Sequence, residues 1–229
     1  MIFATIKTPH MDPTPALVVN GRVHPLPFPD MPAVIKVGAE EAARQASKVS
    51  FVEDEVRFLA PLQPTTLRDA YAFEQHVKSA NQIRGREIPR EWHQFPVFYY
   101  TNPGTIFGPN DVIPYPHYTN ALDFELEIAV VIGKAGVNIK PEDAPSHIFG
   151  YTIFNDWSAR DMQRSEMKVG LGPAKGKDFA SSLGPVIVTG AALLDRTTGR
   201  PGVFDLTMIA QVNGIEMSRG NFRDIFWFE

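Results

Sequence analysis

Cysteine is absent from the 229 residues. Its absence excludes disulfides, thiol nucleophiles and thiolate metal sites, and it leaves any metal to oxygen or imidazole ligands. An excess of basic charge is missing too: 22 Lys and Arg stand against 26 Asp and Glu, a formal charge of -4, with no basic stripe to follow a phosphate backbone. No nucleic-acid partner is expected. Long hydrophobic runs are also lacking. The longest, Ile128 to Ile132, falls far short of the ~20 residues that cross a bilayer. The N-terminus carries neither a basic n-region nor a cleavage site. No membrane partner is expected, and the composition fits a soluble protein of the reducing cytoplasm. There is no internal repeat or low-complexity tract, and 44% of the residues are hydrophobic, enough to bury a core.

Turn chemistry cuts the first 60 or so residues into short strands. Leu17-Val18-Val19 and Arg22-Val23 flank Asn20-Gly21, the strongest short hairpin signal, and Val56 to Leu59 reads as another strand. A helix is expected over 39–48, rich in Ala, Glu, Gln and Arg. After the linking Ala60-Pro61-Leu62-Gln63-Pro64, the spacing of Ala70, Phe73, Val77 and Ala80 predicts a helix over 67–83. A proline-rich loop, or one carrying short strands, should follow from Gly85 to Pro116. Strands are expected at 122–132, 149–155, 185–189 and 204–212, with a short helix begun by Pro141 and another over 158–167. The expected class is mostly β with a few helices (α+β): a small β-rich N-terminal domain over 1–62, then a catalytic domain over 63–229. The last residues, Ile225-Phe226-Trp227-Phe228-Glu229, form an aromatic strand-like run, and the chain is expected to be a fragment of a longer one.

The segment richest in chemistry is Leu122-Asp123-Phe124-Glu125-Leu126-Glu127-Ile128. Alternation with period two places Asp123, Glu125 and Glu127 on one face of a strand. Such a face can simply be solvated. Three like charges at this spacing also repel, and a hard cation such as Mg²⁺, Ca²⁺ or Mn²⁺ would turn the liability into a site. Asp156, where a strand yields to a helix, reads on its own as a helix cap or turn residue. Gly170 to Lys177 imitates a phosphate loop but has Leu171 where glycine is needed and Asp178 where Ser or Thr is needed.

Taken together in order, Asp123-Phe-Glu125-Leu-Glu127, Asn155-Asp156-Trp157-Ser158-Ala159-Arg160-Asp161-x-Gln163 and Gly176-Lys177-Asp-Phe179 resemble the fumarylacetoacetate hydrolase family. The resemblance extends from about Asp69 to the end of the chain and implies that family's mixed β-sandwich roll. It implies that Glu125, Glu127, Asp156 and Asp69 hold a divalent cation, Mg²⁺ or else Ca²⁺ or Mn²⁺. His76 would be the base that activates water, and Tyr71 would contact the substrate. Arg160, Gln163 and Lys177 would stabilise the departing carbanion, and Gln163 and Lys177 would also bind substrate. Arg84, or Arg86, would pair with a substrate carboxylate. Without the resemblance, Asp69 reads as a first-turn acid of the helix over 67–83, sharing a face with His76 at ~10 Å.

The implied activity is metal-dependent hydrolysis of a C–C bond in a small 1,3-diketo or 2-oxo acid such as fumarylacetoacetate or an acylpyruvate, by a homodimer. Isomerisation or decarboxylation of related dioates in aromatic catabolism is the alternative, as is a non-catalytic binding protein stabilised by metal. Two departures stand out. The family's second substrate tyrosine would fall near Met167 or Lys168, and the glycine- and threonine-rich segment that follows the strand near Phe226 in family members is missing from these 229 residues.

Overall fold

The computed structural model describes residues 1–83 and 85–228. Its first strand, β1 (Ile2–Thr8), pairs antiparallel with β2 (Met11–Val19), which pairs with β3 (Arg22–Pro25). The Asn-Gly hairpin forms as expected. Val19 lies opposite Arg22, and Asn20 and Gly21 take φ of 50° and 71°, the left-handed pair whose twist matches that of the flanking strands. Instead of one helix over 39–48 there are two, α1 (Met31–Val37) and α2 (Ala39–Arg44). The first starts at Asp30, whose side chain accepts the Ala33 N–H at 2.8 Å, with Pro32 in the opening turn. Two short strands follow, β4 (Phe51–Val52) and β5 (Arg57–Phe58).

The expected helix over 67–83 is corrected. Leu67–Ala70 is strand β6, and helix α3 (Glu74–Ile83) begins only beyond it. The reason is a partner distant in sequence: β6 pairs antiparallel with β7 (Phe98–Thr101), and tertiary pairing outweighs the weak local preference for helix. Val77 still supplies the buried face of α3. Within the expected proline-rich segment, β7 is followed by β8 (Ile106–Phe107). The strand expected over 122–132 is broken into β9 (Leu122–Asp123) and β10 (Glu127–Ile132). Beyond a 3-10 turn at Pro141–His147 come β11 (Ile148–Asp156), β12 (Ser158–Ala159), α4 (Arg160–Glu166) and α5 (Ala174–Lys177). The chain continues through β13 (Ser181–Leu183), β14 (Ile187–Val188), β15 (Thr207–Val212) and β16 (Ile215–Asn221).

Ten strands make one sheet in the order β4-β3-β2-β1-β14-β11-β13-β8, with β10 flanking β11 and β5 flanking β1. Because β1 pairs with β14, the first sixty or so residues share a sheet with strands that come much later. The pairs β6–β7, β9–β12 and β15–β16 are separate two-stranded ribbons. One apolar core, built on Phe3, Met31, Val34 and Ile187, lies under α1 and α2. A second, around Tyr151, Val203, Phe204 and Phe222, packs against the end of the chain. The fold is a sheet-dominated α+β arrangement. Among the described residues no helix is long and apolar enough to cross a membrane.

Candidate metal centre

The break between β9 and β10 is what assembles the acidic site. Glu127 opens the β10 ladder opposite Phe154 of β11, and continuing that register would set Glu125 opposite Asp156. The Glu125 N–H donates instead to the Asn155 side chain at 3.0 Å, which holds the acidic segment to the end of β11 without a ladder. On the other side, Asp123 pairs with Ser158. Asp161 ties the approach to β9 by accepting from the Thr119 hydroxyl and from the Asn120 N–H at 2.9 Å. The Ser158 hydroxyl donates to the Asp156 carbonyl at 3.0 Å, and the Trp157 indole donates to Ser182 at 2.8 Å. Much of the Asn155-to-Asp161 string thus shapes the strand-to-helix corner that carries Asp156 and Arg160.

Carboxylate oxygens of Asp69, Glu125 and Glu127 lie within 4.8 Å of one another. Asp156, wholly buried, turns one oxygen to Lys177 at 2.9 Å and to the Tyr99 hydroxyl, while its Oδ1 is buried without a hydrogen-bond partner among the described residues. Lys177 also reaches Glu125 at 2.7 Å. Its place is fixed by Gly176: a Cβ there would lie 2.9 Å from both the Gln163 nitrogen and Glu166 Oε1, so only glycine lets α5 approach α4 this closely. The Tyr99 hydroxyl lies 2.8 Å from Asp69 Oδ2 as well. A phenol has one proton and can donate to one carboxylate at a time. Four carboxylates, one with an orphaned oxygen, against the two cations Lys177 and Arg160 leave negative charge in excess. That donor set, all oxygen, fits a hard divalent cation.

The electrostatics follow from this crowding. Burial, then repulsion by Asp156, pushes Asp69 up to about 7. Burial, then Asp69, raises Glu127 well above the usual carboxylate range. Glu125 is also buried, yet the hydrogen bond with Glu127 and the Lys177 and Arg160 charges bring it down to about 2. Burial raises Asp156 against the pull of Lys177. Lys177 is desolvated, but Asp156 and Glu125 raise its pKa and keep it charged.

All the expected site residues but Arg84 lie among the described residues. Asp69 lies on β6 rather than on a helix, so it does not share a helical face with His76. His76, on α3, stands edge-on to Tyr71 with ring centroids 5.1 Å apart and feels the charges of Glu125, Arg160 and Lys177. The ring is exposed on its outer side, and desolvation by its surroundings lowers its pKa from the usual histidine range. Arg160 binds Asp123 at 2.7 Å, Glu125 at 2.6 Å and Gln163 at 3.0 Å. Arg84 lies outside the described residues, and Arg86 is exposed beyond α3. The expected set omitted two participants. Asp123 orients Arg160, and its signal was its place in the alternating acidic run. Tyr99 touches two carboxylates, but its Phe98-Tyr99-Tyr100 run carries no sign of its partner until β7 is known to pair with β6.

The C-terminal aromatic run supports the segment between β6 and α3. The Phe226 and Trp227 N–H groups donate to the Ala72 carbonyl at 2.9 and 3.2 Å. The Trp227 indole donates to the Trp92 carbonyl at 2.8 Å, and the Trp92 indole to the Tyr71 carbonyl at 2.8 Å.

The carboxylate cluster and the roll around it define a class of protein: the chain belongs to the fumarylacetoacetate hydrolase family, whose C-terminal domain model, fumarylacetoacetate (FAA) hydrolase C-terminal, matches residues 65–228. Among curated relatives, oxaloacetate tautomerase YisK of Bacillus subtilis is 42% identical over 96 residues, 42% of this chain and 31% of the relative. Fumarylacetoacetase of Oryza sativa subsp. japonica is 34% identical over 181 residues, 70% of this chain and 42% of the relative. The chain thus spans less than half the length of these two relatives. Among solved structures, fumarylacetoacetate hydrolase from Exiguobacterium antarcticum superposes with a TM-score of 0.74 at 25% identity, covering 99% of this chain and 77% of that one.

Proposed function

We propose that the chain carries the active site of a divalent-metal-dependent hydrolase that cleaves a C–C bond in a 1,3-diketo acid of the fumarylacetoacetate or acylpyruvate kind. The observation that carries this reading is the place of His76, beside Tyr71 and within reach of the charges of Glu125, Arg160 and Lys177, next to a cluster of four carboxylates. A bound Mg²⁺, or Ca²⁺ or Mn²⁺, held by Asp69, Glu125, Glu127 and Asp156, would supply Lewis-acid polarisation of the substrate oxygens. The protein's own groups do the rest. His76 accepts a proton from water, which then attacks the carbonyl. Lys177 gives two of its three N–H donors to Glu125 and Asp156, so a third can be offered to charge developing on the leaving enolate. Arg160, steadied by Asp123, and Gln163 act beside it, and Tyr71 flanks the base.

A second reading, tautomerisation or decarboxylation of an oxaloacetate-like acid, is favoured by the 42% identity to a relative named as an oxaloacetate tautomerase. It needs proton transfer but no attacking water. A panel of acylpyruvate, fumarylacetoacetate and oxaloacetate, each with Mg²⁺ or with chelator, separates the two. The hydrolase reading expects a new carboxylate product from the diketo acids, lost in chelator and in Glu127→Ala. Keto–enol exchange of oxaloacetate alone would hand the site to the second reading. Turnover of the diketo acids that persisted in chelator would refute both metal-dependent readings, and metal binding without any turnover would leave a metal-stabilised binding protein. We also propose a cytoplasmic homodimer in which residues 1–62, a small β-rich portion joined to the main sheet through β1, precede the catalytic residues 63–229; light scattering on the purified chain tests the dimer.

A further inference from the structure

The ribbon β6–β7 supplies Asp69 to the site, yet it shares no ladder with the ten-stranded sheet that supplies Glu127 and Asp156. Something other than backbone pairing must set the distance between Asp69 and the other carboxylates. Within the ribbon, Asp69 lies directly opposite Tyr99, so both side chains stand on one face. The opposite face is closed separately: Arg68 lies over the rings of Phe98 and Tyr100, with its guanidinium carbon 5.5 and 5.1 Å from their centroids. The Tyr99 hydroxyl is in hydrogen-bond contact with Asp69 on its own ribbon and with Asp156 on the main sheet. It bridges carboxylates on two elements that no ladder connects.

We propose that Tyr99 is a positioning residue for the cation: its phenol spaces Asp69 against Asp156 and so sets the affinity of the carboxylate cradle. This rests on the metal reading above. The role differs from that of a ligand because Tyr99 acts through the carboxylates. Loss of such an outer partner typically weakens metal binding by about 10- to 100-fold while leaving every ligand in place. It differs equally from a packing role. Tyr99→Phe keeps the ring and removes one oxygen, whereas Tyr100→Phe makes the same change on the Arg68 face.

The test is calorimetric titration of Mg²⁺ or Mn²⁺ into the full chain and into the Y99F and Y100F variants, with melting curves recorded in chelator. The expected result is a Kd weakened about 10-fold or more in Y99F, an unchanged Kd in Y100F, and Y99F turnover that recovers when metal is raised to saturation. Equal Kd for Y99F and the parent chain overturns the proposal and leaves the metal reading standing, whereas a parent chain that binds neither ion removes the metal reading itself. A second measurement needs no folded Y99F. With 3-fluorotyrosine placed at position 99 alone of the full chain, Mg²⁺ should shift the single fluorine resonance, because the phenol touches two of the carboxylates that take up the charge, and a resonance unmoved at saturating metal overturns the proposal.

Discussion

Replacing Lys177 by methionine isolates the charge balance of the site. The substitution keeps most of the aliphatic stem and deletes the ammonium, which is 2.7 Å from Glu125 and 2.9 Å from Asp156. The lysine side chain is 4% exposed and that of Asp156 not at all, so water cannot take over the lost interaction. Removing one partner of a buried ion pair costs about 3–5 kcal/mol, because the other charge is left uncompensated. For a chain of this size each kcal/mol moves the melting temperature by about 2–4 °C, so Lys177→Met should melt about 10 °C lower in chelator. Acidification should narrow the gap, since protonating Asp156, whose pKa burial already raises, removes the orphaned charge. Saturating Mg²⁺ should narrow it too, by supplying positive charge to the same carboxylates. Differential scanning calorimetry at two pH values, with chelator and with Mg²⁺, reads all of this. A chelator melting point within about 2 °C of the parent would refute the reasoning.

Three further outcomes follow from the same geometry. Because burial lowers the His76 pKa, the hydrolase reading predicts an acid limb in kcat/KM with its midpoint below 6.5, and His76→Ala should lose about 10²- to 10⁴-fold in rate together with that limb. The sign for stability is the same: protonation favours the unfolded chain, so stability should decline as pH falls below 6.5, which acid melting curves of the parent and His76→Ala can compare. Gly176→Ala would force a Cβ to within 2.9 Å of the Gln163 nitrogen, which cannot yield without moving α4. The expected cost is about 1–3 kcal/mol, read in the melting temperature, with a loss of metal affinity in calorimetry as Lys177 is displaced.

The local signals held where the physics is local. Asn20-Gly21 made its hairpin because two residues with positive φ need no outside partner. Elsewhere local preference misled. Leu67–Ala70 sits within helical spacing yet forms a strand, and the even alternation of Asp123, Glu125 and Glu127 is broken by the change of partner from β12 to β11. The acidic residues themselves, with Lys177 and Arg160, were legible as chemistry because so many charged groups at such spacing have few other uses.

What the sequence determined by itself is the inventory and its meaning: oxygen donors without thiols, no excess of basic charge, and a string from Asn155 to Asp161 specific enough to mark a family. The tertiary structure decided the arrangement. It brought Asp69 to Glu125 and Glu127, set Lys177 between two carboxylates, and placed Tyr99 across Asp69 and Asp156. Those relations depend on strand register and on the approach of elements far apart in the chain, and neither is encoded in the spacing of neighbours along it.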